Sequence, residues 1–410
     1  MDFRYDDRTV ELQERLLAFM DEMVHPAEAV AARQLAAAES EWSRPPVMTE
    51  LKAEARRRGL WNLFLANQHS LPGTEHGGAG LTNLQYAPLA EITGHVPHLA
   101  PEALNCAAPD TGNMEVLAEF GSPEQRKRWL EPLLEGEIRS AFCMTEPEVA
   151  SSDAANIATR IERDGDHYVI NGRKWWSSGA MSPRCALLIV MGVTDPDAEP
   201  YRRQSMICVS AGTPGVTVQR STGVFGYDDG PHGGHADIRY DNVRVPAANL
   251  LGAEGDGFRI AQERLGPGRI HHAMRAIGMA ERALEMMCQR TASRTAFGQP
   301  IIEQGVVQQW ISRARIWIEQ VRLLVLKTAW LMDTAGNRGA RIEVSAIKVA
   351  APEMATWVID RAIQAHGGAG VSQDFVLAEL YAAARAMRIF DGPDEVHHRA
   401  IARRETRRYR

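Results

Sequence analysis

Several stretches carry residue types that could do chemistry. Phe142-Cys-Met144-Thr145-Glu-Pro-Glu-Val-Ala-Ser-Ser152-Asp153 joins an apolar strand end to hydroxyls and a turn. Such a loop offers backbone N–H and hydroxyl donors to a heterocycle or a phosphate. Trp175-Trp176-Ser177-Ser178-Gly179 offers either two cross-strand aromatics to a core or an indole to a flat cofactor. Arg294-Thr-Ala-Phe297-Gly-Gln-Pro300 sets a cation and an aromatic at a helix end. Gln364-Ala-His-Gly-Gly368-Ala-Gly370 and Phe390-Asp391-Gly392-Pro393-Asp-Glu395 put glycines and carboxylates at helix boundaries, where a ligand can approach the backbone closely.

Other chemistries lack their residues. A nicotinamide-type site needs G-x-G-x-x-G between a strand and a helix. Gly252-Ala-Glu-Gly255-Asp-Gly257 has its glycines in the wrong order, and no P-loop or G-x-S-x-G elbow occurs. The adjacent pairs His271-His272 and His397-His398 would diverge by about 100° on a helix, so they make no metal face and read as structural or solvent-facing. Cys106, Cys143, Cys185, Cys208 and Cys288 are odd in number and far apart, which favours a reducing compartment over a zinc site.

The elements that must position these residues come from 410 residues, enough for about two to four domains at roughly 100–200 residues each. A hydrophobic share of 45% and a charged share of 24% exclude a disordered chain. The net charge of −6 argues against nucleic acid or an anionic membrane as the main partner. Arg399, Arg403, Arg404, Arg407, Arg408 and Arg410 crowd the tail, read as a solvated helix end with a binding patch as the alternative. The longest clean apolar run, Cys185–Val193, falls short of the roughly 20 residues of a membrane span. Asp2, Asp6, Asp7 and Glu11 do not resemble a signal peptide, so a cytoplasmic protein without a membrane partner is expected.

Residues 7–138 read helical, with Val10, Leu12, Leu16, Leu17, Phe19 and Met20 at helical spacing and a second stretch at Leu51–Leu60. Ser122-Pro123-Glu124-Gln125 is a helix start, while Gly59, Pro72–Gly80 and Gly94–Pro97 punctuate. From 139 to 250 the texture is β. His167–Ile170, Asn171-Gly172 and Lys174–Ser177 read as a hairpin. Ala186–Val193, Ser205–Val209, Val216–Arg220 and Ala236–Val245 read as further strands of an antiparallel sandwich or barrel. From 251, Ile270–Thr291, Val306–Ala335, Arg341–His366 and Phe375–Ile389 predict a bundle of antiparallel helices. The pentapeptide at His76–Gly80 and His366–Gly370 reads as two separate turns.

These segments together resemble the acyl-CoA dehydrogenases over nearly the whole chain. The resemblance rests on Met144-Thr145-Glu146-Pro147 with Ser152-Asp153, Asn171-Gly172-Arg173-Lys174-Trp175-Trp176, Thr213-Pro214-Gly215-Val216 and Asp241-Asn242-Val243-Arg244-Val245-Pro246. Arg294…Phe297-Gly298 and Gln364…Gly367-Gly368 complete the order. More closely, the chain is similar to the branch whose animal members are fused to a phosphotransferase-like domain. The resemblance implies an α+β multidomain fold: an N-terminal helical domain (1–138), a β-barrel-like middle domain (139–250) and a C-terminal four-helix bundle (251–410). It implies FAD between the β domain and the C-terminal helices, an acyl-CoA substrate, an electron-transfer flavoprotein as partner, and a homodimer or homotetramer.

Carried over by position, Phe142, Met144, Thr145 and Ser152 are expected to touch flavin, Ser152 also the thioester or pantetheine. Trp176 and Ser178 are expected to flank the isoalloxazine. Arg294, Phe297, Gln364 and Gly368 would serve a neighbouring subunit's FAD, with Pro393 and Glu395 near its adenosine phosphates. Arg269 would orient the base loop or CoA, a buried ion pair being the rival role, and Gly392 would border the substrate. The family's base is commonly Glu in a Tyr-Glu-Gly-Thr-like stretch; here Asp391 stands there, one methylene shorter, about 1.5 Å. Its rival role is an N-cap of the last helix. Members with the base on the first C-terminal helix place Glu where this chain has Gly268. The Leu265–Gly268 run leaves more room over the substrate, which suits a bulky or polar substituent beyond the β-carbon. The Glu148–Ser151 turn carries one extra residue, and Gly305 stands where a Gln often contacts FAD. The same fold also admits an oxidase of a nitroalkane, where an Asp base occurs as well, or a flavin-bearing DNA-binding protein.

Overall fold

The computed structural model describes residues 4–65 and 78–409. Residues 72–77 of the expected Pro72–Gly80 break and of the first His-Gly-Gly-Ala-Gly lie outside the described residues, as does Arg410 of the basic tail. Helices, a sheet and helices follow one another along the chain. By contacts the chain forms two compact units. One combines Met1–Glu22, Thr82–Pro101 and Gly268–Arg410; the other combines Met23–Leu81 and Glu102–Pro267. Among the described residues no helix is long and apolar enough to cross a membrane.

The second unit holds the sheet. Its strands are β1 (Arg139–Cys143), β2 (Arg160–Asp164), β3 (His167–Ser178), β4 (Cys185–Val193), β5 (Gln204–Ser210), β6 (Val216–Thr222), β7 (His235–Pro246) and β8 (Leu250–Leu251). They run in the order β6-β7-β3-β2-β4-β5-β8, with β1 beside β4. Pairing is antiparallel except that β1, and one bridge of β2, lie parallel to β4. Alternate residues of β3 and β7, such as Tyr168, Ile170, Ile238 and Tyr240, close over Leu188, Val190, Ile207 and Val209 to form the core. This is the period-two burial that the strand texture predicts.

The expected hairpin at Asn171-Gly172 is absent. The reversal comes earlier, at Gly165-Asp166, which joins β2 to β3 with Asp164 opposite His167. Asn171-Gly172 is a bulge inside β3, where the register against β7 slips between Ile170 and Gly172. The long partner β7 decides this, because a reversal at Asn171 would strip Lys174–Ser178 of their ladder. Gly172 also lies so close to β2 that a Cβ there would come within 2.5 Å of Thr159 Oγ1.

In the same unit Ser122 caps its helix through a capping box with Gln125, as the Ser-Pro-Glu-Gln run predicts. A buried charge cluster fixes the start of β1. Arg139 meets Asp110 and lies 2.9 Å from Glu102, which also pairs with Lys52 at 2.6 Å and Arg184 at 3.1 Å. These cations hold the Glu102 carboxyl far below its usual range despite its burial.

The first unit is helical. Its main helices are Gly257–Ser293 (from Gly268 onward), Gly305–Gly339, Arg341–His366, Leu377–Met387 and Asp394–Thr406. Helices Asp7–Phe19 and Asn83–Thr93 complete it. Four of the six residues of the N-terminal apolar stripe are covered: Leu12, Leu16, Phe19 and Met20 are buried, whereas Val10 and Leu17 are exposed. Two backbones nearly touch where a Cβ on Gly278 would meet the Glu91 carbonyl at 2.0 Å and the Gly94 Cα at 2.9 Å. The tail arginines Arg399, Arg403, Arg404 and Arg407 are exposed along and just after the last helix.

Candidate active site

In the helical unit, Phe390–Pro393 is a tight loop between the helices Leu377–Met387 and Asp394–Thr406. Asp391 and Gly392 both have positive φ, +54° and +99°. Such a conformation in a non-glycine residue costs about 1–3 kcal/mol and persists only where the surroundings impose it. Here three side chains do so. Arg269 Nε donates to the Asp391 carbonyl at 3.0 Å, and His397 Nε2 lies 3.3 Å from the same oxygen. Lys348 Nζ donates to the carbonyls of Met387 at 2.5 Å and Gly392 at 3.3 Å.

Lys348 is 1% exposed, and burial pushes its pKa down to about 8. Burial and the nearby charges of Arg269 and Lys348 lower His397 to about 4. His397 is therefore neutral at pH 7, and the carbonyl acceptor assigns the proton to Nε2.

The Asp391 carboxylate accepts no hydrogen bond among the described residues. His272 Nε2 lies 3.8 Å from its Oδ2, and the two side chains are 18% and 17% exposed. Among the described residues, a Cβ on Gly268 would meet only that same Oδ2, at 3.8 Å. Asp391 is no helix cap; Pro393 occupies the N-cap position of Asp394–Thr406. The histidine pairs are also not simply structural or solvent-facing. His271 packs edge-on against Tyr86, His272 faces Asp391, and His397 holds the loop, leaving His398 exposed.

In the sheet unit, the ends of β1 and β3 form a second group. Trp175 N donates to the Thr145 carbonyl at 3.0 Å, which ties the two segments together. Beneath them Lys174 Nζ contacts Glu146 Oε1 at 2.7 Å and the Met144 carbonyl at 2.9 Å. Glu146 also accepts from the amides of Ala158 and Thr159 at 2.8 and 2.9 Å. Burial opposes its ionisation, but these partners hold its carboxyl below the ordinary value.

Trp176 sits in a second bulge of β3 with φ +52° and is 37% exposed, so the two tryptophans are not a pair of core aromatics. Its ring lies 5.3 Å from that of His235, whose Nδ1 is 2.9 Å from Ser178 Oγ. Burial lowers the pKa of His235. Phe142 is half-buried under the Arg264 guanidinium at 4.1 Å, and Arg264 Nε donates to Asn113 Oδ1 at 2.9 Å. Met144 is half-buried, while Thr145 and Ser152 are exposed.

The remaining expected residues, Pro393 excepted, are exposed in the helical unit. Arg294 is exposed at the foot of a small hairpin, Thr295–Ala296 with Gln299–Pro300. Phe297 at its tip has φ +53° and is 100% exposed. Gln364 and Gly368 are exposed at the end of Arg341–His366, and Glu395 is exposed in the first turn of the last helix.

Lys348, His235 and Arg264 were not singled out by the sequence reading, and His272 and His397 were read there only as structural or solvent-facing. Lys348 had a signal: it is the lone lysine among the buried Ile347, Val349, Ala351 and Ala355 of a helix.

Three stretches match the domains of one family: residues 8–137 the acyl-CoA dehydrogenase N-terminal domain, 141–243 the middle domain and 255–406 the C-terminal domain. The chain is 59% identical to "Probable acyl-CoA dehydrogenase FadE2" of Mycobacterium tuberculosis, covering 100% of this chain and 98% of that one. It is 53% identical over 100% of both chains to the solved "Structure of a putative acyl-CoA dehydrogenase from Mycobacterium abscessus", with a TM-score of 0.94. A glutaryl-CoA dehydrogenase from Mycobacterium smegmatis, solved in complex with FADH2, shares the fold at TM-score 0.81 with 21% identity, covering 98% of this chain and 95% of that one. Animal relatives are longer: the match, 53% identical, covers 96% of this chain but 36% of mouse acyl-CoA dehydrogenase family member 10. The domain matches and the full-length relatives agree: the chain belongs to the acyl-CoA dehydrogenase family.

Proposed function

We propose that this oxidoreductase α,β-dehydrogenates an acyl-CoA thioester, with Asp391 as the base, FAD as cofactor and an electron-transfer flavoprotein as electron acceptor. The observation that carries this reading is the Asp391 loop. Its main chain is fastened by Arg269, His397 and Lys348, while its partly exposed carboxylate accepts no hydrogen bond among the described residues. A base needs that combination: fixed position, free lone pairs and access to the carbon it deprotonates.

The sheet unit suits a flat heterocycle. Trp176 offers an indole beside the Ser178 hydroxyl, and Thr145 offers an exposed hydroxyl on the neighbouring segment. Phe142, Met144, Thr145, Ser152, Trp176 and Ser178 would hold FAD, with Ser152 also serving the pantetheine. When bound, the flavin supplies the acceptor for the substrate's β-hydride at N5. Asp391 takes the α-proton, Arg269 and Lys348 keep the loop in register, and Gly392 borders the thioester. Arg294, Phe297, Gln364, Gly368, Pro393 and Glu395 would serve the FAD of a second subunit in a homodimer or homotetramer. The full exposure of Phe297 supports that reading. The working division is 1–138, 139–250 and 251–410.

Anaerobic titration of the FAD-loaded protein with a panel of acyl-CoAs tests the function. Bleaching by one chain class, abolished in Asp391→Asn while FAD stays bound, is the expected result. Equal bleaching in the variant would place the base elsewhere, and no bleaching by any thioester would remove the dehydrogenase reading.

A further inference from the structure

His272 lies one helical turn beyond Gly268 and three residues beyond Arg269, so all three face one side of the helix Gly257–Ser293. Their roles at the Asp391 loop differ. Arg269, Lys348 and His397 all bind main-chain oxygens. His272 instead presents Nε2 to the carboxylate itself, 3.8 Å from Oδ2, with its ring edge-on to Phe390 at 4.8 Å. Gly268 adds no side chain at that spot.

The chemistry of the base leaves work for such a group. A carboxylate that has taken the α-proton must lose it before the next turnover. A carboxylic acid is ordinarily a stronger acid than an imidazolium, so passing a proton from one to a neighbouring imidazole runs downhill. The titratable nitrogen beside this carboxylate is His272 Nε2, 3.8 Å from Oδ2.

We infer that His272 receives the substrate's α-proton from Asp391, an inference that rests on Asp391 being the base. The substrate α-C–H bond breaks and an O–H bond forms on Asp391. That O–H bond then breaks as an N–H bond forms at His272 Nε2, restoring the carboxylate and leaving an imidazolium that gives its proton to water. A rotation of the Asp391 side chain, or one bridging water, closes the 3.8 Å gap.

The test uses the FAD-loaded full chain and an acyl-CoA analogue whose β-carbon is replaced by sulfur, so that no hydride can leave. Exchange of its α-hydrogens with D2O is followed by mass spectrometry. A single-turnover flavin bleaching with an ordinary acyl-CoA is followed in parallel. In both His272→Val and His272→Gln, exchange is expected to fall roughly tenfold or more while bleaching falls less than about threefold.

Exchange at the wild-type rate in both variants overturns the inference. So does recovery in His272→Gln alone, which would reduce His272 to a hydrogen-bonding, positioning role. Loss of bleaching in step with exchange overturns it as well. Asp391→Asn separates the two layers. If that variant keeps exchange, the base assignment itself fails. If it loses exchange while the His272 variants keep it, only the relay fails.

Discussion

Arg269 and Asp391 meet through the main chain: Nε of the arginine donates to the aspartate's carbonyl oxygen at 3.0 Å. The guanidinium therefore sets where the carboxylate stands without occupying it. Lysine at this position cannot keep that planar reach. For Arg269→Lys we expect single-turnover flavin reduction to slow by about 100-fold, the cost of a misplacement near 1 Å, with the binding constant for acyl-CoA little changed. Stopped-flow bleaching over a range of acyl-CoA concentrations separates the two.

Lys348 holds the other half of the loop. Lys348→Met leaves the Met387 and Gly392 carbonyls without their donor in a buried place. A loss of about 1–3 kcal/mol in urea unfolding is expected. A midpoint equal to that of the wild type would mean that the loop finds other donors.

His397 makes stability depend on acid. Its pKa is lowered to about 4 in the folded chain, first by burial and then by Arg269 and Lys348. Between the ordinary value near 6.5 and about 4, the unfolded chain binds a proton that the folded chain refuses. Stability is therefore present above 6.5 and is lost as pH falls to about 4, by about 2–3 kcal/mol. Thermal melts from pH 7 to 4 should show a slope that flattens in His397→Gln.

Glu146 and Lys174 form a buried pair under the β1 and β3 ends. Glu146→Gln strands the ammonium and is expected to cost about 3–5 kcal/mol. Replacing both partners at once, as Glu146→Gln with Lys174→Met, should cost less than Glu146→Gln alone. A double-mutant cycle in denaturant measures this.

Gly278→Ala is expected to destabilise by about 3 kcal/mol. The added methyl would have to displace the Glu91 carbonyl and the Gly94 backbone, neither of which is a flexible side-chain end. The melting temperature reads this directly.

What was legible in the sequence was local or periodic. The strands Cys185–Val193, Gln204–Ser210 and His235–Pro246 announce themselves through apolar runs and alternation. The long helices do so through length and helix-favouring composition, even with Pro352 inside Arg341–His366, and Ser122 through its capping box. Asp391 was reachable because its loop resembles a known motif. What stayed hidden depends on partners far away in the chain. Asn171-Gly172 has the residues of a turn, but β7, some seventy positions later, keeps it in a strand. His272 and Lys348 acquire their roles only when the Asp391 loop arrives beside them. Adjacent histidines look alike in a sequence, yet His397 and His398 end up with one buried and the other exposed.

The anchors of Asp391 and Gly392 all end on carbonyl oxygens. Every amino acid carries that oxygen, so the scaffold is largely indifferent to which acid stands at position 391. Over evolutionary time the length of the acidic side chain there can drift between aspartate and glutamate while the frame that holds it keeps its shape. Substrate range can then be retuned by a single codon, with no compensating change elsewhere in the loop.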